Sequence, residues 1–505
     1  MFDLIIKNGS VLNGTGKDAF SADVAIKDGK IVKIAQGITD TCRVIDATGL
    51  TVTPGWIDSH SHSDSTMLTY PDQREKLEQG ITLAITGQCG SSAAPKRNET
   101  DGTVLTVGEF LHKVKNTPQG SGAVMLVGHN ALRRAVMGSE NRAPTAQELE
   151  AMKQLLRDGL EAGAIGLSFG LIYVPGCYSN MEECIALAEV VAEFDGLLAS
   201  HIRNEGDFLI EAVEEFLTII RRSGCKRAVF SHHKAAGRTS NWGKVKTSLA
   251  MIDAARAEGL DIHLDVYPYR ASGTTLLATF VPKALHPAGT TSVLSLLDDP
   301  DMYQRIKEWC YQRWGNEFDW VLVSKCPGHP EFEALTINEI AERLGLEDRC
   351  EAAFEIIRLT KGKASGCFFT MCEEDIEYIM KHPCSMICTD SAVAGSSTGY
   401  HPRLRAAFPR VLARYVRERG VVSLPEMIRK MTSLPATVYR LAGKGRIAVG
   451  ADADLCIFDA DRIEDKADFT HCTLKNEGLS YVIVDGKVVV EDGVYNGTRA
   501  AKILA

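Results

Sequence analysis

Two histidines one residue apart follow a short apolar segment near the start of the chain. The stretch from Thr51 reads Thr-Val-Thr-Pro-Gly-Trp-Ile-Asp-Ser-His-Ser-His and so ends in His60 and His62. On a strand, residues i and i+2 point to the same side, so both imidazoles are predicted to face one position. Neutral imidazole is a ligand for zinc and related metals. Taken alone, this pair is more typical of an ordinary polar loop than of a metal site.

Later apolar segments also end in residues that can bind a metal. These residues are Cys89 after segment 82–88, His201 in 197–201, His232 in 228–232 and Asp390 in 385–390. If the segments are parallel strands of one barrel, their carboxyl ends meet at the rim where active sites lie. The joint pattern therefore predicts a metal centre.

Composition and charge predict a large protein whose partner is not nucleic acid. The chain has 505 residues, of which 45% are hydrophobic and 24% charged, enough for a large core and a second module. Its net charge of -9 and isoelectric point near 5.9 argue against nucleic acid or an anionic membrane as partner. There is no run of about 18 apolar residues and no signal-peptide pattern. Fourteen cysteines without framework spacing predict mostly buried thiols, not disulfides, in a reducing cytoplasm.

The middle of the chain alternates strand-like and helix-like segments. The predicted strands after the first are 82–88, 123–128, 164–169, 197–201, 228–232, 262–267 and 385–390. Thr145-x-x-Glu148 and Ser179-x-x-Glu182 are predicted capping boxes that start helices. Buried strands that alternate with helices predict a parallel sheet, and eight such units predict an α/β fold, a distorted (β/α)8 TIM barrel.

Both chain ends contain short strand-like segments with hairpin turn signals. Asn8-Gly9 and Asp28-Gly29 predict turns, and two apolar strand-like segments return near the C-terminus. Neither end can bury a sheet face alone, so the two are predicted to pair into one small β-sandwich. The predicted domains are 1–53 and 441–505 for the sandwich and 54–440 for the barrel. An insertion at about 274–380 is predicted to cap the barrel mouth.

Motifs along nearly the whole chain resemble a known family. They are Pro54-Gly-Trp-Ile-Asp-Ser-His-Ser-His62, Thr86-Gly-Gln-Cys-Gly90, Ser200-His-Ile-Arg-Asn-Glu205, Ser231-His-His-Lys234, Asp265-Val-Tyr-Pro-Tyr269 and His401-Pro-Arg403. The chain resembles the amidohydrolase superfamily, in particular its branch of N-acyl-D-amino-acid deacylases. Many members of the superfamily use a carbamylated lysine at the end of strand four, but segment 164–170 has no lysine. The deacylase branch has a cysteine ending strand two instead, the position of Cys89.

The resemblance implies a ligand set for zinc. Cys89, His201 and His232 would hold one tight zinc, while His60, His62 and Asp390 would face a weaker second position or surround the reacting water. A thiolate binds zinc strongly. In the His232-His233 pair, only one imidazole can point inward from a regular strand, and the motif favours His232.

The resemblance also implies roles in amide hydrolysis. Asp390 would take a proton from water and pass it to the leaving nitrogen, and His60 or His62 would help to polarise the carbonyl. Arg403 would pair with the substrate α-carboxylate, with Lys234 and Tyr267 as weaker candidates for the same oxygens. Tyr173 either lines the acyl pocket or is a packed aromatic residue.

Several points of specificity stay open in the sequence. Arg270 departs from the branch pattern: pointing inward, it would pair with the acidic side chain of an N-acyl-D-glutamate or D-aspartate, and pointing outward it would leave an apolar or mixed preference. The alternative functions are hydrolysis of another linear or cyclic amide, as in dihydroorotases and hydantoinases, or of an ester. A third alternative is a non-catalytic metal-binding barrel, which would not need the Asp390 proton shuttle.

Overall fold

The N-terminal strands form half of a sheet that the C-terminal strands complete. The computed structural model describes residues 1–40, 42–237, 239–282, 285, 294–392 and 401–504. Its first strands are β1 (Leu4–Val11), β2 (Phe20–Lys27), β3 (Lys30–Ala35), β4 (Arg43–Asp46) and β5 (Thr51–Pro54). The turn predicted at Asp28-Gly29 joins β2 to β3. The turn predicted at Asn8-Gly9 is wrong: β1 continues through it, with a bulge where Asn8 has φ of 60°.

The barrel strands follow directly. Residues 56–266 contain β6 (Trp56–Asp58), β7 (Ile81–Thr86), β8 (Lys96–Arg97), β9 (Val104–Leu105), β10 (Gly122–Met125), β11 (Val127–Gly128), β12 (Gly166–Gly170), β13 (Leu197–His201), β14 (Arg227–Phe230) and β15 (Asp261–Val266). Neighbouring barrel strands are parallel. The strand predicted at 123–128 is divided into β10 and β11, while β8 and β9 form a separate small hairpin.

Helices connect the barrel strands. They are α1 (Arg74–Leu77), α2 (Val107–Lys115), α3 (His129–Met137), α4 (Ala146–Glu161), α5 (Met181–Glu193), α6 (Leu209–Ser223) and α7 (Lys244–Ala257), with short 3-10 helices at Ser63–Thr66, Gly176–Tyr178 and Thr239–Asn241. The capping box of Thr145 and Glu148 is present. The one predicted at Ser179 is wrong, because Asn180 caps α5 and accepts from the Glu183 amide. In the described part of the chain, no helix combines the length and apolarity needed to cross a membrane.

The insertion has a core of its own. It comprises β16 (Ala271–Thr275), α8 (Leu276–Phe280), α9 (Pro300–Trp314), β17 (Val321–Lys325), the 3-10 turn Pro330–Phe332, α10 (Ile337–Leu344), α11 (Arg349–Leu359) and β18 (Ser365–Phe369). β18 lies between β16 and β17, antiparallel to both. The core of the insertion contains buried residues such as Phe280, Phe318 and Phe354.

A buried polar network closes the barrel between its first and last strands. After α12 (Glu373–Lys381), strand β19 (Ser385–Ile387) pairs with β15, and the Ser59 amide donates to the Ile387 carbonyl at 3.3 Å. Asp58 accepts from the Thr389 amide at 2.8 Å and from the Thr389 hydroxyl at 2.6 Å. The fully buried Lys76 of α1 pairs with Asp58 and donates to the Thr389 hydroxyl at 2.8 Å. This network holds the end of β6 beside the end of β19.

The C-terminal segment returns to the sheet of the N-terminus. It contains α13 (Arg403–Arg410), which continues as the π-helix Val411–Glu418, then α14 (Leu424–Met431), α15 (Ser433–Val438), β20 (Leu455–Phe458), β21 (Leu479–Val484), β22 (Lys487–Glu491) and β23 (Val494–Tyr495). β20 pairs antiparallel with β5, which makes one nine-stranded sheet. Its core combines residues of both ends, among them Ile6, Val24, Leu455 and Ile483. The predicted barrel with a β-sandwich built from both chain ends is confirmed.

Candidate metal centre and substrate site

Cys89 lies at the centre of the predicted ligands. Its sulfur is 3.3 Å from His60 Nε2, 3.2 Å from His232 Nε2 and 3.6 Å from His201 Nδ1. Two groups of side chains have ligand atoms within 4.8 Å of one another, namely Cys89 with His201 and His232, and Cys89 with His60, His62 and Asp390. The structure thus brings all six predicted ligands together, and the thiol belongs to both groups.

Tight turns beyond the strand ends aim these side chains. β6 ends at Asp58, before either histidine, so strand alternation does not explain the convergence of His60 and His62, as the sequence had suggested. Cys89, His232 and Asp390 follow their strands by two or three residues and have φ of 53°, 35° and 47°. Such left-handed conformations are unusual for residues other than glycine and concentrate at functional sites.

Close backbone packing supports the Cys89 turn. A Cβ atom at Gly170, the last residue of β12, would lie 2.0 Å from the Cys89 carbonyl oxygen. Only glycine fits this approach.

The electrostatics of the cluster suit a divalent cation. Burial lowers the pKa of His201 to about 4 and that of His60 well below its usual value, so both imidazoles are neutral at pH 7. Burial and the nearby Asp390 raise the pKa of the Cys89 thiol well above its usual value. A zinc ion takes imidazole and thiolate ligands and deprotonates the thiol. The donor set therefore fits zinc.

Glu205 organises two of the ligands, a role that sequence reasoning missed. Its carboxylate is 3.3 Å from His201 Nε2 and 3.0 Å from His232 Nδ1. Burial alone would raise its pKa, but His201, Lys234 and His232 outweigh that effect and hold it well below the usual value. A carboxylate beside the outer nitrogen of a ligand imidazole favours one orientation of the ring. The signal in the sequence was the place of Glu205 at the end of the Ser200–Glu205 motif, four residues after His201, and it does not identify His232 as a second partner.

Asp265 is a second carboxylate behind the ligands that had been given no role. One of its oxygens accepts from the His232 amide at 2.6 Å and lies 3.7 Å from His60 Nδ1. Burial raises its pKa well above the usual value. Asp265 thereby holds the His232 turn against the adjacent strand.

Asp390 and Arg403 form an ion pair at the open side of the cluster. Asp390 Oδ1 is 3.2 Å from His62 Nε2, and Oδ2 accepts from Arg403 Nη1 at 2.8 Å. Burial would raise the pKa of Asp390, but the charge of Arg403 and the neighbouring histidines hold it well below its usual range. His401 positions Arg403, because its Nδ1 accepts from the Arg403 amide at 3.1 Å.

The remaining predicted substrate residues divide into three near the cluster and one far from it. Lys234 donates to Glu205 at 2.6 Å and to the His232 carbonyl at 2.9 Å. The Tyr173 ring packs edge-on against His201, with centroids 4.8 Å apart. Tyr267 is buried, and the Arg403 guanidinium lies 4.8 Å from its ring centroid.

Arg270 points away from the site. Its side chain is exposed, and it is absent from the described residues that line the cavities beside the cluster. The inward orientation considered for Arg270 is therefore not found. The reason is local: Arg270 immediately precedes β16, and the inward positions at the mouth are taken by Gly273 and Thr274 of that strand.

Two cavities meet at Asp390. The first, here called the wide arm, has a volume of about 1100 Å³ and includes the charged residues Arg74, Glu75, Lys325, Arg403 and Arg405 in its lining. The second, here called the aromatic arm, has about 450 Å³ and is lined in part by Ile172, Tyr173, Trp309, Trp314, Trp320 and Phe368. Gly273 and Thr274 of β16 line both arms.

Sequence comparison places the chain among known hydrolases. The model of the amidohydrolase family matches residues 43–490. The N-acyl-D-glutamate deacylase of Alcaligenes xylosoxydans xylosoxydans is 36% identical over 96% of this chain and 93% of its own length. The D-aminoacylase of the same organism is 31% identical over 100% of this chain and 98% of its own length.

Solved structures agree with this placement. An N-acyl-D-glutamate deacylase of Bordetella bronchiseptica, in complex with zinc and a phosphonate inhibitor that mimics the tetrahedral intermediate, superposes with a TM-score of 0.85. The two chains are 34% identical. The superposition covers 100% of this chain and 99% of the other. An L-hydantoinase of Arthrobacter aurescens, at 16% identity, shares the fold, with a TM-score of 0.59 over 100% of both chains.

Proposed function

Since the chain belongs to the amidohydrolase family, we propose that it is a zinc-dependent hydrolase of N-acyl-D-amino acids that releases the free D-amino acid and a carboxylate. The observation that carries this proposal is the cluster in which Cys89 joins His201 and His232 beside the Asp390–Arg403 pair. Metal ligands, a proton carrier and a carboxylate anchor are the three parts that hydrolysis of an N-acyl amino acid requires. The handedness is taken from the relatives, whose names specify D substrates.

Zinc binding belongs to the Cys89 group in this proposal. Cys89, His201 and His232 would hold the ion, and His60, His62 and Asp390 would face a second, weaker position or the reacting water. When bound, zinc supplies a Lewis acid beside the scissile carbonyl and makes a nearby water more acidic. Glu205 keeps the two ligand imidazoles in the orientation that presents their nitrogens to the Cys89 sulfur.

Asp390 is the proton carrier. Its carboxylate lies between His62 and Arg403 at the point where the two arms meet, so it can reach both water and the leaving nitrogen. As a carboxylate it accepts a proton from the attacking water and passes it to the amine, because an amine leaves more readily once protonated. His62, partly exposed at the same place and 3.2 Å from Asp390, would help to polarise the carbonyl.

Arg403 is the anchor for the substrate α-carboxylate. Its guanidinium has one contact to Asp390, and the planar fork can bind a second carboxylate. The ammonium of Lys234 is already occupied by Glu205 and the His232 carbonyl, which favours Arg403 over Lys234 for this role. A substrate carboxylate on Arg403 competes with Asp390 for its charge, so binding would raise the pKa of Asp390 toward that of a useful base.

The test uses paired enantiomers and controlled metal content. Enzyme stripped of metal should be inactive on N-acetyl-D-amino acids and should regain activity with about one zinc per chain. The same preparation should hydrolyse N-acetyl-L-amino acids far more slowly. Faster cleavage of L isomers throughout the panel, or full activity without metal, would refute the proposal.

A further inference from the structure

The insertion supplies four of the aromatic rings that line the aromatic arm. Trp309 and Trp314 lie on α9, Trp320 immediately precedes β17, and Phe368 lies on β18. Trp314 and Trp320 pack with ring centroids 4.7 Å apart, and Trp320 lies 6.2 Å from Phe368. The rings form a continuous apolar surface, which is typical of pockets for large apolar ligands.

Among the described residues that line this arm, the charged groups lie only at its two ends. At the metal end, Lys234 pairs with Glu205 at 2.6 Å and Asp390 pairs with Arg403 at 2.8 Å. A carboxylate placed between the ends would lose its water against the tryptophan and phenylalanine rings without gaining a cation there. Burying a charge in this way is costly.

Among the described residues, the outer end carries one cation, Arg313, whose charge is balanced by Asp207. Arg313 Nη1 is 3.0 Å from Asp207 Oδ2, and its guanidinium lies 4.7 Å from the Trp314 ring centroid. Asn241 donates to the other Asp207 oxygen at 2.9 Å, which fixes the carboxylate toward Arg313. The guanidinium thus extends the aromatic wall and has its charge balanced by Asp207.

The orientation of the substrate follows from Tyr267. Its ring forms part of the aromatic arm, and both Arg403, at 4.8 Å, and Lys234, at 5.5 Å, lie against it. Arg403 lines the wide arm and Tyr267 lines the aromatic arm, so an α-carboxylate held on Arg403 leaves the α-carbon near the junction of the two arms at Asp390. With the amino-acid side chain in the aromatic arm, the acyl group would extend into the wide arm.

We propose that the aromatic arm binds the amino-acid side chain and selects N-acyl-D-amino acids with large apolar side chains, aromatic ones above all. This inference rests on the proposed function and names its substrate class. The Asp207–Arg313 pair contributes by keeping the outer end of the arm from attracting acidic side chains.

A panel of substrates tests the selection. With the zinc-loaded full chain, kcat/KM for N-acetyl-D-phenylalanine and N-acetyl-D-tryptophan should exceed that for N-acetyl-D-alanine and N-acetyl-D-glutamate by at least about tenfold, since even one buried methylene changes specificity by about 10–200-fold. Equal or better hydrolysis of N-acetyl-D-glutamate would overturn the inference.

Binding separates this inference from the proposed function. Tryptophan fluorescence of the Asp390→Asn variant should report tighter binding of N-acetyl-D-phenylalanine than of N-acetyl-D-glutamate. If that order is found but no N-acetyl-D-amino acid is hydrolysed by the wild type, the proposed function fails and the assignment of the arm stands. If the acidic ligand binds as tightly, the assignment fails whether or not hydrolysis occurs.

Substitution of Trp320 tests the role of the aromatic wall in substrate selection. Trp320→Ala should lower kcat/KM for N-acetyl-D-phenylalanine by at least about tenfold and for N-acetyl-D-alanine by less than about threefold, because only the larger substrate loses a contact. Trp320→Phe should restore part of the lost kcat/KM for N-acetyl-D-phenylalanine. Phe194→Ala is the matched control, because it removes a ring that is 39% exposed at the end of α5. It should change kcat/KM for neither substrate. An equal loss on both substrates in Trp320→Ala and no rescue by Phe would contradict the assignment.

A substitution in the Asp207–Arg313 ion pair tests its contribution to specificity. Asp207→Asn leaves the charge of Arg313 unbalanced and should raise kcat/KM for N-acetyl-D-glutamate relative to N-acetyl-D-phenylalanine by a few-fold, since the pair is partly exposed and screened by water. An unchanged ratio would remove the Asp207–Arg313 pair from the explanation of specificity.

Discussion

At the scale of single residues, Cys89 is the side chain that both ligand groups share. Its thiol has a raised pKa because it is buried near Asp390, whereas the pKa of His201 is lowered to about 4. Between pH 6 and 8 the free thiol therefore carries its proton and the imidazole does not. Zinc must displace one proton, and that proton comes from sulfur.

The first prediction is a pH dependence of zinc binding. Raising the pH removes the competing proton, so zinc affinity should increase about tenfold per pH unit between pH 6 and 8. Isothermal titration in buffers of different ionisation enthalpy measures the released proton. Cys89→Ala should bind zinc weakly and lose this slope; wild-type affinity in that variant would show that sulfur is not a ligand.

The second prediction concerns proton transfer. Asp390→Asn keeps the size of the side chain but cannot accept a proton, so kcat should fall by roughly 10²–10⁴. The Cys89 group should still hold zinc, because Asp390 is not among its three members. Metal analysis and steady-state kinetics measure both effects. Turnover close to that of the wild type would exclude Asp390 from the reaction.

The third prediction concerns Glu205. Glu205→Gln removes the charge that faces two ligand imidazoles, so zinc affinity should fall about 10–100-fold, as for other carboxylates behind metal-bound histidines. Competition with a chelator of known affinity measures the loss. Glu215→Gln is the matched control, because Glu215 pairs with Arg203 at 2.9 Å and faces no ligand of the cluster. Equal affinities in the two variants would contradict the positioning role.

At the scale of elements, the site depends on how β6 and β19 are held together. His60 and His62 follow one strand and Asp390 follows the other, and the Asp58–Lys76–Thr389 network joins them. Both Asp58 and Lys76 are fully buried. Removing one partner of such a pair leaves an uncompensated buried charge.

The fourth prediction is therefore a stability effect. Lys76→Met should lower the free energy of unfolding by about 3–5 kcal/mol, because Asp58 loses its cation inside the protein. Lys502→Met breaks the exposed pair with Asp485 and should cost less than about 1 kcal/mol. Denaturant unfolding of the two variants side by side gives the comparison. Similar stabilities would mean that the buried pair contributes little.

At the scale of the whole molecule, the sandwich and the barrel share side-chain contacts. Phe458 of β20 packs edge-on against Trp56 of β6, with centroids 5.6 Å apart. The Cys456 thiol donates to the Gly80 carbonyl at 3.1 Å. The sheet itself needs both chain ends, since β5 pairs with β20. These contacts join the two parts through a shared buried surface.

The fifth prediction is a single thermal transition. Near- and far-ultraviolet circular dichroism should give coincident curves, because neither the sandwich nor the barrel can lose its shared surface without exposing apolar side chains. Zinc should raise the midpoint, since it binds only the folded state strongly. Two separate transitions, of which only one responds to zinc, would show independent domains.

The sequence by itself predicted the barrel and the side chains that cluster at its rim. Parallel strands with intervening helices place their carboxyl ends at one rim, so residues far apart in the chain, such as His60, Cys89 and Asp390, must meet there. Residue type then restricts the chemistry, because imidazole, thiolate and carboxylate are metal ligands. These deductions need only local patterns and one topological rule.

Only the tertiary structure decided how the side chains contact one another. The pairing of Glu205 with both His201 and His232, the ion pair of Arg403 with Asp390 and the outward direction of Arg270 depend on turn geometry. The turns at the strand ends have positive φ values that the residue types do not predict. Each positive φ value changes the direction in which the side chain points. The contacts between residues far apart in the sequence are therefore fixed only once all the strands are in place.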